Sequence, residues 1–185
     1  AITYSWRSSA DNYTTAISGA TAPTYTPPAN MTTTTSYRRY AKDGTCNTTF
    51  TQSTGTWTVT VNDVTAGSIT GTQTICSGTA AAQLGSVDAT GSATPTYKWQ
   101  INTNLTTPDW SDITGATSAT YSPGTLTADA QYRRVATSTL NGVACSATSN
   151  EVTVTVNNLT AGEIAGNQTI GSGGDTVAFT VSTAA

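Results

Sequence analysis

Acidic side chains are the groups with which this sequence could perform hydrolysis. Two carboxylates can serve as general acid and general base when their surroundings push their pKa values apart. Asp109 and Asp112 lie close together in the chain. The other candidate acids are scattered, namely Asp88, Asp129, Glu151 and Glu163. The matching places of the preceding repeat, described below, carry no acid. We therefore favour solvated loop residues over a catalytic pair.

Nucleophilic and metal-dependent chemistry lack their usual residues. The chain contains no His, and a Ser or Thr nucleophile needs a base beside it. Asn62-Asp63 and Asn157-Asn158 could offer oxygens to calcium, but one or two oxygens fall short of six to eight ligands. Turn chemistry is the interpretation that we favour there, with calcium between domains as the alternative. We expect no catalytic residue, no metal site and no cofactor.

Paired arginines recur in the chain, as Arg38-Arg39 after Tyr37 and as Arg133-Arg134 after Tyr132. Neighbouring residues of a strand point to opposite faces, so one arginine of each pair shares a face with its tyrosine. We expect the guanidinium of that arginine to stack on an aromatic ring such as Trp99 or Trp110. The alternative is an exposed arginine that binds anionic glycans. Recurrence of the pair favours the structural role.

Composition indicates β structure and excludes some partners. Of the 185 residues 36 % are hydrophobic and only 9 % are charged, with a net charge of −3. β-Branched residues dominate over helix formers, which favours strands. An acidic chain does not provide the basic surface that nucleic acids require. No stretch of 18 apolar residues is present, so we expect no transmembrane segment in this part of the protein.

The chain repeats itself with a period of about 95 residues. Tyr4–Trp6 returns as Tyr97–Trp99, and further motifs return in the same order. These are ISGAT (17–21) as ITGAT (113–117), VTVN at 59–62 and 154–157, and QTI at 73–75 and 168–170. We therefore predict a partial repeat over 1–63, whose first strands lie outside the chain, a complete repeat over 64–158 and the start of a third over 159–185. The chain is expected to come from a longer polypeptide.

Alternating residues and regularly spaced turns predict tandem β-sandwiches, all-β and similar to immunoglobulin or fibronectin type III domains. Tyr97 and Trp99 fall on one face of a strand, as do Val152, Val154 and Val156. Leu126 and Tyr132 have the spacing of a tyrosine corner, in which the hydroxyl bonds to backbone upstream. The expected core and corner residues are Trp6, Tyr37, Tyr97, Trp99, Leu126, Tyr132 and Arg134. A junction of about four residues between repeats predicts a semi-rigid rod.

The three cysteines are interpreted within this repeat frame. Cys76 lies near the start of the complete repeat and Cys145 near its end. A sandwich brings its first and last strands together, so we predict a Cys76–Cys145 disulfide and export from the cytosol. Cys46 matches Cys145, and its partner would lie before residue 1. Free thiols and metal ligands are the alternatives.

The ordered motifs resemble the immunoglobulin-like repeats of giant cell-surface adhesins of Bacteroidota, of the flavobacterial gliding-motility (SprB) type. The motifs that carry the resemblance are QTICSG (73–78), YKWQ (97–100), ITGATSATYSPG (113–124), YRRV (132–135) and VTVTV (152–156). The resemblance implies type IX secretion, attachment to the outer surface, and adhesion or gliding motility. Its implied partners are the secretion and gliding machinery and an unknown surface or glycan ligand bound elsewhere in the full chain.

We therefore expect a non-catalytic spacer within a long extracellular filament. The alternative is a spacer or carbohydrate-binding accessory region of a secreted multidomain hydrolase. Glycan binding through exposed aromatics such as Trp110 or Tyr13 is a third hypothesis.

Overall fold

The computed structural model describes residues 1–183, with side chains through residue 180. It is built almost entirely of β-strands, which confirms the predicted all-β class. The strands are β1 (Thr3–Ser8), β2 (Thr35–Lys42), β3 (Thr51–Gln52), β4 (Trp57–Val59), β5 (Val64–Thr65), β6 (Ser68–Thr70), β7 (Gln73–Cys76), β8 (Thr79–Ala81), β9 (Gly85–Val87), β10 (Thr90–Gly91), β11 (Thr96–Asn102), β12 (Ser111–Asp112), β13 (Gly124–Leu126), β14 (Ala130–Leu140), β15 (Val143–Thr148), β16 (Val152–Asn157), β17 (Glu163–Ala165) and β18 (Thr180–Thr183). One turn of 3-10 helix follows β1 at Ser9–Asp11.

The first of two compact units comprises Ala1–Thr65, Thr90–Pro95 and Thr137–Ala147. Its main sheet has β2 in the centre, and β2 pairs antiparallel with β1, β3 and β4. The short strands β5 and β10 form a second antiparallel pair. Tyr37 of β2 is buried, and its hydroxyl donates to Sδ of Met31 at 3.7 Å. The tyrosine therefore reaches the residue six positions upstream through a side chain, not through the backbone that the corner motif predicts.

The second unit comprises Ala66–Ala89, Thr96–Ala136 and Thr148–Ala185. Its largest sheet has the order β12-β11-β14-β16-β7. β16 runs antiparallel to β14 but parallel to β7. Three antiparallel pairs complete the unit: β13 with β8, β6 with β9, and β17 with β18. The core cluster consists of Ile69, Leu84, Trp99, Ala130, Tyr132, Val152 and Val154, with Leu126 packed against it.

Local sequence explains the main strands of these sheets. Val152, Val154 and Val156 are buried and alternate with threonines that are not, as the period of two requires. β14 ends at the turn Asn141-Gly142, and both turn residues have positive φ values of 50° and 80°. This combination is typical of a type I′ turn, which matches the right-handed twist of a hairpin. Asn141-Gly142 thus forms the tip of the β14–β15 hairpin.

The predicted Cys76–Cys145 disulfide is wrong, because all three cysteines are free. β7, near the start of the predicted complete repeat, and β16, at its end, do lie side by side. However, the register of their parallel pairing places Cys76 opposite Asn157, twelve residues along the chain from Cys145. The Cys145 thiol instead donates to the backbone oxygen of Asn62 at 3.4 Å. Cys46 and Cys76 are both exposed.

Candidate functional site

Two of the candidate catalytic acids, Asp112 and Asp129, have structural partners of their own. Asp129 Oδ1 accepts a hydrogen bond from the backbone nitrogen of Val156 at 2.7 Å. Asp112 accepts bonds from Lys98 Nζ at 2.8 Å and from Gln100 Nε2 at 2.6 Å. The hydrogen bond from Lys98 and then that from Gln100 hold the pKa of Asp112 below its usual value. Asp112 thus remains an anion in neutral solution and does not supply a general acid.

Metal-ligating residues do not gather within the described residues. No group of three or more His, Cys, Asp or Glu side chains there could hold a metal ion. Asn62 and Asp63, which the sequence offers to calcium, are engaged in hydrogen bonds instead: Asp63 Oδ1 accepts from the nitrogen of Val64 at 2.8 Å. No helix in the part of the chain described could cross a membrane.

Three aromatic rings pack in series in the second unit. Trp99 lies 5.4 Å from Tyr121, and Tyr121 lies 5.7 Å from Tyr132, measured between ring centroids. The indole nitrogen of Trp99 donates to the oxygen of Ser118 at 2.9 Å. This bond satisfies the one polar group of a fully buried ring.

The same series occurs in the first unit. Trp6 lies 5.7 Å from Tyr25, and Tyr25 lies 5.5 Å from Tyr37. The indole nitrogen of Trp6 donates to Ala22 at 3.0 Å. These residues precede their counterparts by 93 to 96 positions. The two units therefore pack their three aromatic rings in the same way.

Arg134 is the charged residue that the second unit buries completely. It shares the inner face of β14 with Tyr132, and its guanidinium lies over the ring of Tyr97, 4.2 Å from the centroid. Its nitrogens donate to three backbone oxygens, those of Ala119 at 2.7 Å, Val87 at 2.8 Å and Ala66 at 3.2 Å. Charge-assisted bonds and the aromatic face replace the lost water, while Nε stays without a hydrogen-bond partner among the described residues.

Guanidinium stacking is present on both faces of the strand. Of the two rings expected, Trp110 is covered by Arg133, the arginine on the other face from Tyr132, and Trp99 is not covered by either arginine. Arg134, which lies on the same face as Tyr132, stacks on Tyr97 and not on Trp99. The other arginine, Arg133, covers Trp110 at 4.2 Å, and its Nε donates to Gln100 Oε1 at 2.7 Å. In the first unit Arg38 covers Tyr13 at 3.8 Å. The rings of Trp110 and Tyr13, named as glycan-binding candidates, therefore each have one face occupied by a guanidinium.

Asn62 is a functional candidate that the sequence analysis interpreted only as turn chemistry. Its Nδ2 donates to the backbone oxygens of Ser138 at 2.7 Å and Val143 at 2.8 Å. Its Oδ1 accepts from the hydroxyl of Ser138 at 2.9 Å. All three residues belong to the first unit, although Ser138 and Val143 follow Asn62 by 76 and 81 positions. Only the repeat period, which places residue 62 at a junction, could have drawn attention to it.

Open clefts are present in each unit. The first unit has a cleft of about 290 Å³ lined by Trp6, Tyr37, Arg39 and Trp57 together with residues 53–56. The second has one of about 400 Å³ along residues 113–122, lined mostly by small and hydroxyl side chains. Neither lining brings together a nucleophile and a base.

Comparison with protein-family models matches residues 1–63 and 65–158 to the family described as "Domain of unknown function (DUF8696)". A comparison with curated proteins gives no match. The matched residues cover most of the chain and include the aromatic series, the paired arginines and Asn62. The chain belongs to the family of domains of unknown function DUF8696.

Proposed function

We propose that this chain is a non-catalytic, semi-rigid spacer, a structural repeat segment of a long secreted adhesin filament on the cell surface. In this role it would hold an adhesive region away from the cell and transmit force during adhesion or gliding. The observation that supports the proposal best is the set of bonds made by Asn62.

Asn62 joins the end of one predicted repeat to the body of the next. Val59 ends β4, and only four residues separate it from β5. Within that connection the Asn62 side chain is bonded to the β14–β15 hairpin through Ser138 and Val143. The backbone nitrogen of Asp63 also donates a hydrogen bond to the hydroxyl of Ser92 at 3.0 Å. A connection fixed by side-chain bonds bends less than a free linker of the same length, which is the property a spacer needs.

The arrangement of charged groups also supports a structural role. Arg133 and Arg134 stack on aromatic rings, and Asp112 and Asp129 serve hydrogen bonds within the fold. These charged side chains, which are of the types that take part in catalysis or ligand binding, are thereby engaged in contacts that hold the strands together. Export by the type IX route and attachment to the outer surface follow from the resemblance of the sequence motifs and belong to the proposal.

The native polypeptide provides the test. An antibody raised against residues 1–158 would be used to isolate it from the source cells, measure its mass and test its exposure on intact cells by protease shaving. We expect a mass of several hundred kilodaltons, peptides that recur with the repeat period, and removal by external protease. A small polypeptide that also carries a catalytic domain, or one protected inside intact cells, would overturn the proposal.

A further inference from the structure

Three cations lie on the outer face of the β1–β2 sheet, the face opposite to the core of the first unit. Trp6 and Tyr37 belong to the inner face, so the alternation of a strand puts Arg7 and Arg38 on the outer one. These two arginines are direct cross-strand partners. Lys42, at the end of β2, is the third cation of this face. Like charges opposite each other destabilise a pair of strands unless an anion relieves them.

The acidic residues of the first unit do not neutralise these cations. Asp11 and Asp43 accept hydrogen bonds from nearby backbone nitrogens, and Asp63 does the same. Within the residues that the structure describes, the one ion pair joins Lys98 to Asp112 in the second unit. The outer face of the first unit therefore has positive charge that no carboxylate of the fold balances.

Aromatic rings hold the two guanidinium groups of this face in place. Arg38 Cζ lies 3.8 Å from the centroid of Tyr13, and Arg7 Cζ lies 4.5 Å from that of Tyr40. Tyr13 has a φ of 61°, which a bulky residue seldom adopts. Arg38 donates from Nε to Thr56 at 3.4 Å, while its Nη1 and Nη2 make no hydrogen bond with the described residues. A planar fork held in this way can bind a carboxylate through two parallel bonds.

The equivalent face of the second unit lacks the like-charge pair. Gln100 stands where the first unit has Arg7, and its Oε1 accepts from Arg133 Nε at 2.7 Å. The Nε2 of Gln100 donates to Asp112 Oδ1 at 2.6 Å. An amide thus joins the arginine of this face to a carboxylate. The first unit has a second guanidinium in place of that amide, so its charge is a difference between two otherwise equivalent faces.

The outer face is the one that a complete repeat leaves open to solvent. In the second unit Trp99 and Tyr132 belong to the core cluster. On the opposite face of the same sheet, the side chains of Lys98 and Asp112 are 48 % and 55 % exposed. The strands that complete the sandwich therefore cover the inner face, and the outer face of the first unit stays accessible in the same way.

We propose that the outer face of the β1–β2 sheet binds an acidic polysaccharide through its carboxylate groups. Arg38 receives one carboxylate on Nη1 and Nη2, with Arg7 beside it across the strand pair. Lys42 lies four residues further along β2, about 13 Å away, and receives a carboxylate of a later sugar ring. This ligand site goes beyond the spacer role, which rests on other residues.

The shape of the face favours a polysaccharide over other anionic polymers. β2 is bonded to β1, β3 and β4, so an extended peptide cannot add to it as a further strand. The half-buried rings of Tyr13 and Tyr40 offer apolar surface and a hydroxyl to a sugar ring. The net charge of −3 opposes nucleic acid, whose binding needs many cations.

Biolayer interferometry with immobilised polygalacturonate and the 185-residue chain in solution tests the proposal. We expect wild type to bind at low ionic strength and to dissociate as salt is added. Arg7→Gln and Lys42→Thr introduce the residues that the second unit has at these positions, and each should weaken binding about fivefold. Arg133→Gln removes the same charge from the second unit and is the matched control, which should bind like wild type. Circular dichroism verifies that each variant keeps its β structure.

Two further polymers identify the chemistry that is recognised. Neutral dextran and acidic polyglutamate should each bind at least tenfold more weakly than polygalacturonate. Polyglutamate that binds as tightly would overturn the choice of a polysaccharide, and dextran that binds as tightly would overturn the role of charge. A wild-type chain that does not bind polygalacturonate, or equal losses in Arg133→Gln and Arg7→Gln, would overturn the site itself.

Discussion

The guanidinium of Arg134 lies over the ring of Tyr97, with its Cζ 4.2 Å from the centroid. In the first unit Arg39 lies over Tyr4 at 5.2 Å. A buried lysine could not make the same arrangement, because arginine is planar, weakly hydrated and able to donate in several directions at once. The arginine ties β14 to the loops that carry Ala66, Val87 and Ala119. A buried cation thus braces the second unit from within its core.

Replacing Arg134 with Ala should lower the free energy of unfolding by about 3–5 kcal/mol, because three backbone oxygens lose their donor where water cannot replace it. Urea denaturation followed by tryptophan fluorescence measures the change. Arg133→Ala is the matched control: this guanidinium is partly exposed, and its stacking on Trp110 is worth about 1 kcal/mol or less. Equal losses in the two variants would contradict the bracing role of Arg134.

Stability at high pH should depend on Tyr132. Burial, and then the neighbouring Tyr121, raise the pKa of the Tyr132 phenol to about 12, against about 10 in an unfolded chain. Between these values the unfolded state loses a proton that the folded state keeps. The stabilisation is therefore complete below pH 10 and is lost as the pH rises towards 12.

The measurement is the urea midpoint as a function of pH for wild type and Tyr132→Phe. The variant should lose less stability than wild type over this range, because it has no phenol to ionise. Tyr37→Phe should act in the same direction, since burial also raises the pKa of Tyr37. Identical slopes for wild type and Tyr132→Phe would show that this phenol does not limit stability.

Much of the fold could be predicted from sequence, because repetition and alternation report on local geometry. The repeat of about 95 residues identified Trp99, Tyr132 and Arg134 as core residues, and all three are buried. The choice of ring under Arg134 could not be predicted, since Tyr97 and Trp99 share one strand face and only packing shows that Tyr121 lies against Trp99.

The state of the cysteines and the hydrogen bonds of Asn62 could not be predicted from the sequence. The sandwich prediction correctly brought a strand near the start of the complete repeat, β7, next to the strand at its end, β16. Their register is set by the whole sheet, however, and puts Cys76 opposite Asn157. The partners of Asn62 are more than 70 residues away in the chain. An asparagine in a threonine-rich connection gives no local signal of such contacts.

The thiols should be free in solution. Thiol-reactive dye added to the denatured, unreduced chain should label Cys46, Cys76 and Cys145, and a reducing agent should leave the unfolding midpoint unchanged. The triple Ser variant should unfold within about 1 kcal/mol of wild type, since two of the thiols are exposed. Labelling of a single thiol before reduction and of all three after it would restore the predicted bridge.

Asn62→Ala should loosen the connection between the predicted repeats. The change removes two donated bonds and one accepted bond around Ser138, which is fully buried. Unpaired oxygens at such a place cost about 1–3 kcal/mol. Backbone amides of the β14–β15 hairpin around Val143 should then exchange with solvent deuterium roughly tenfold faster or more. Asn158→Ala, at an exposed position, is the control and should exchange like wild type. Equal exchange in both variants would remove the main support for a semi-rigid spacer.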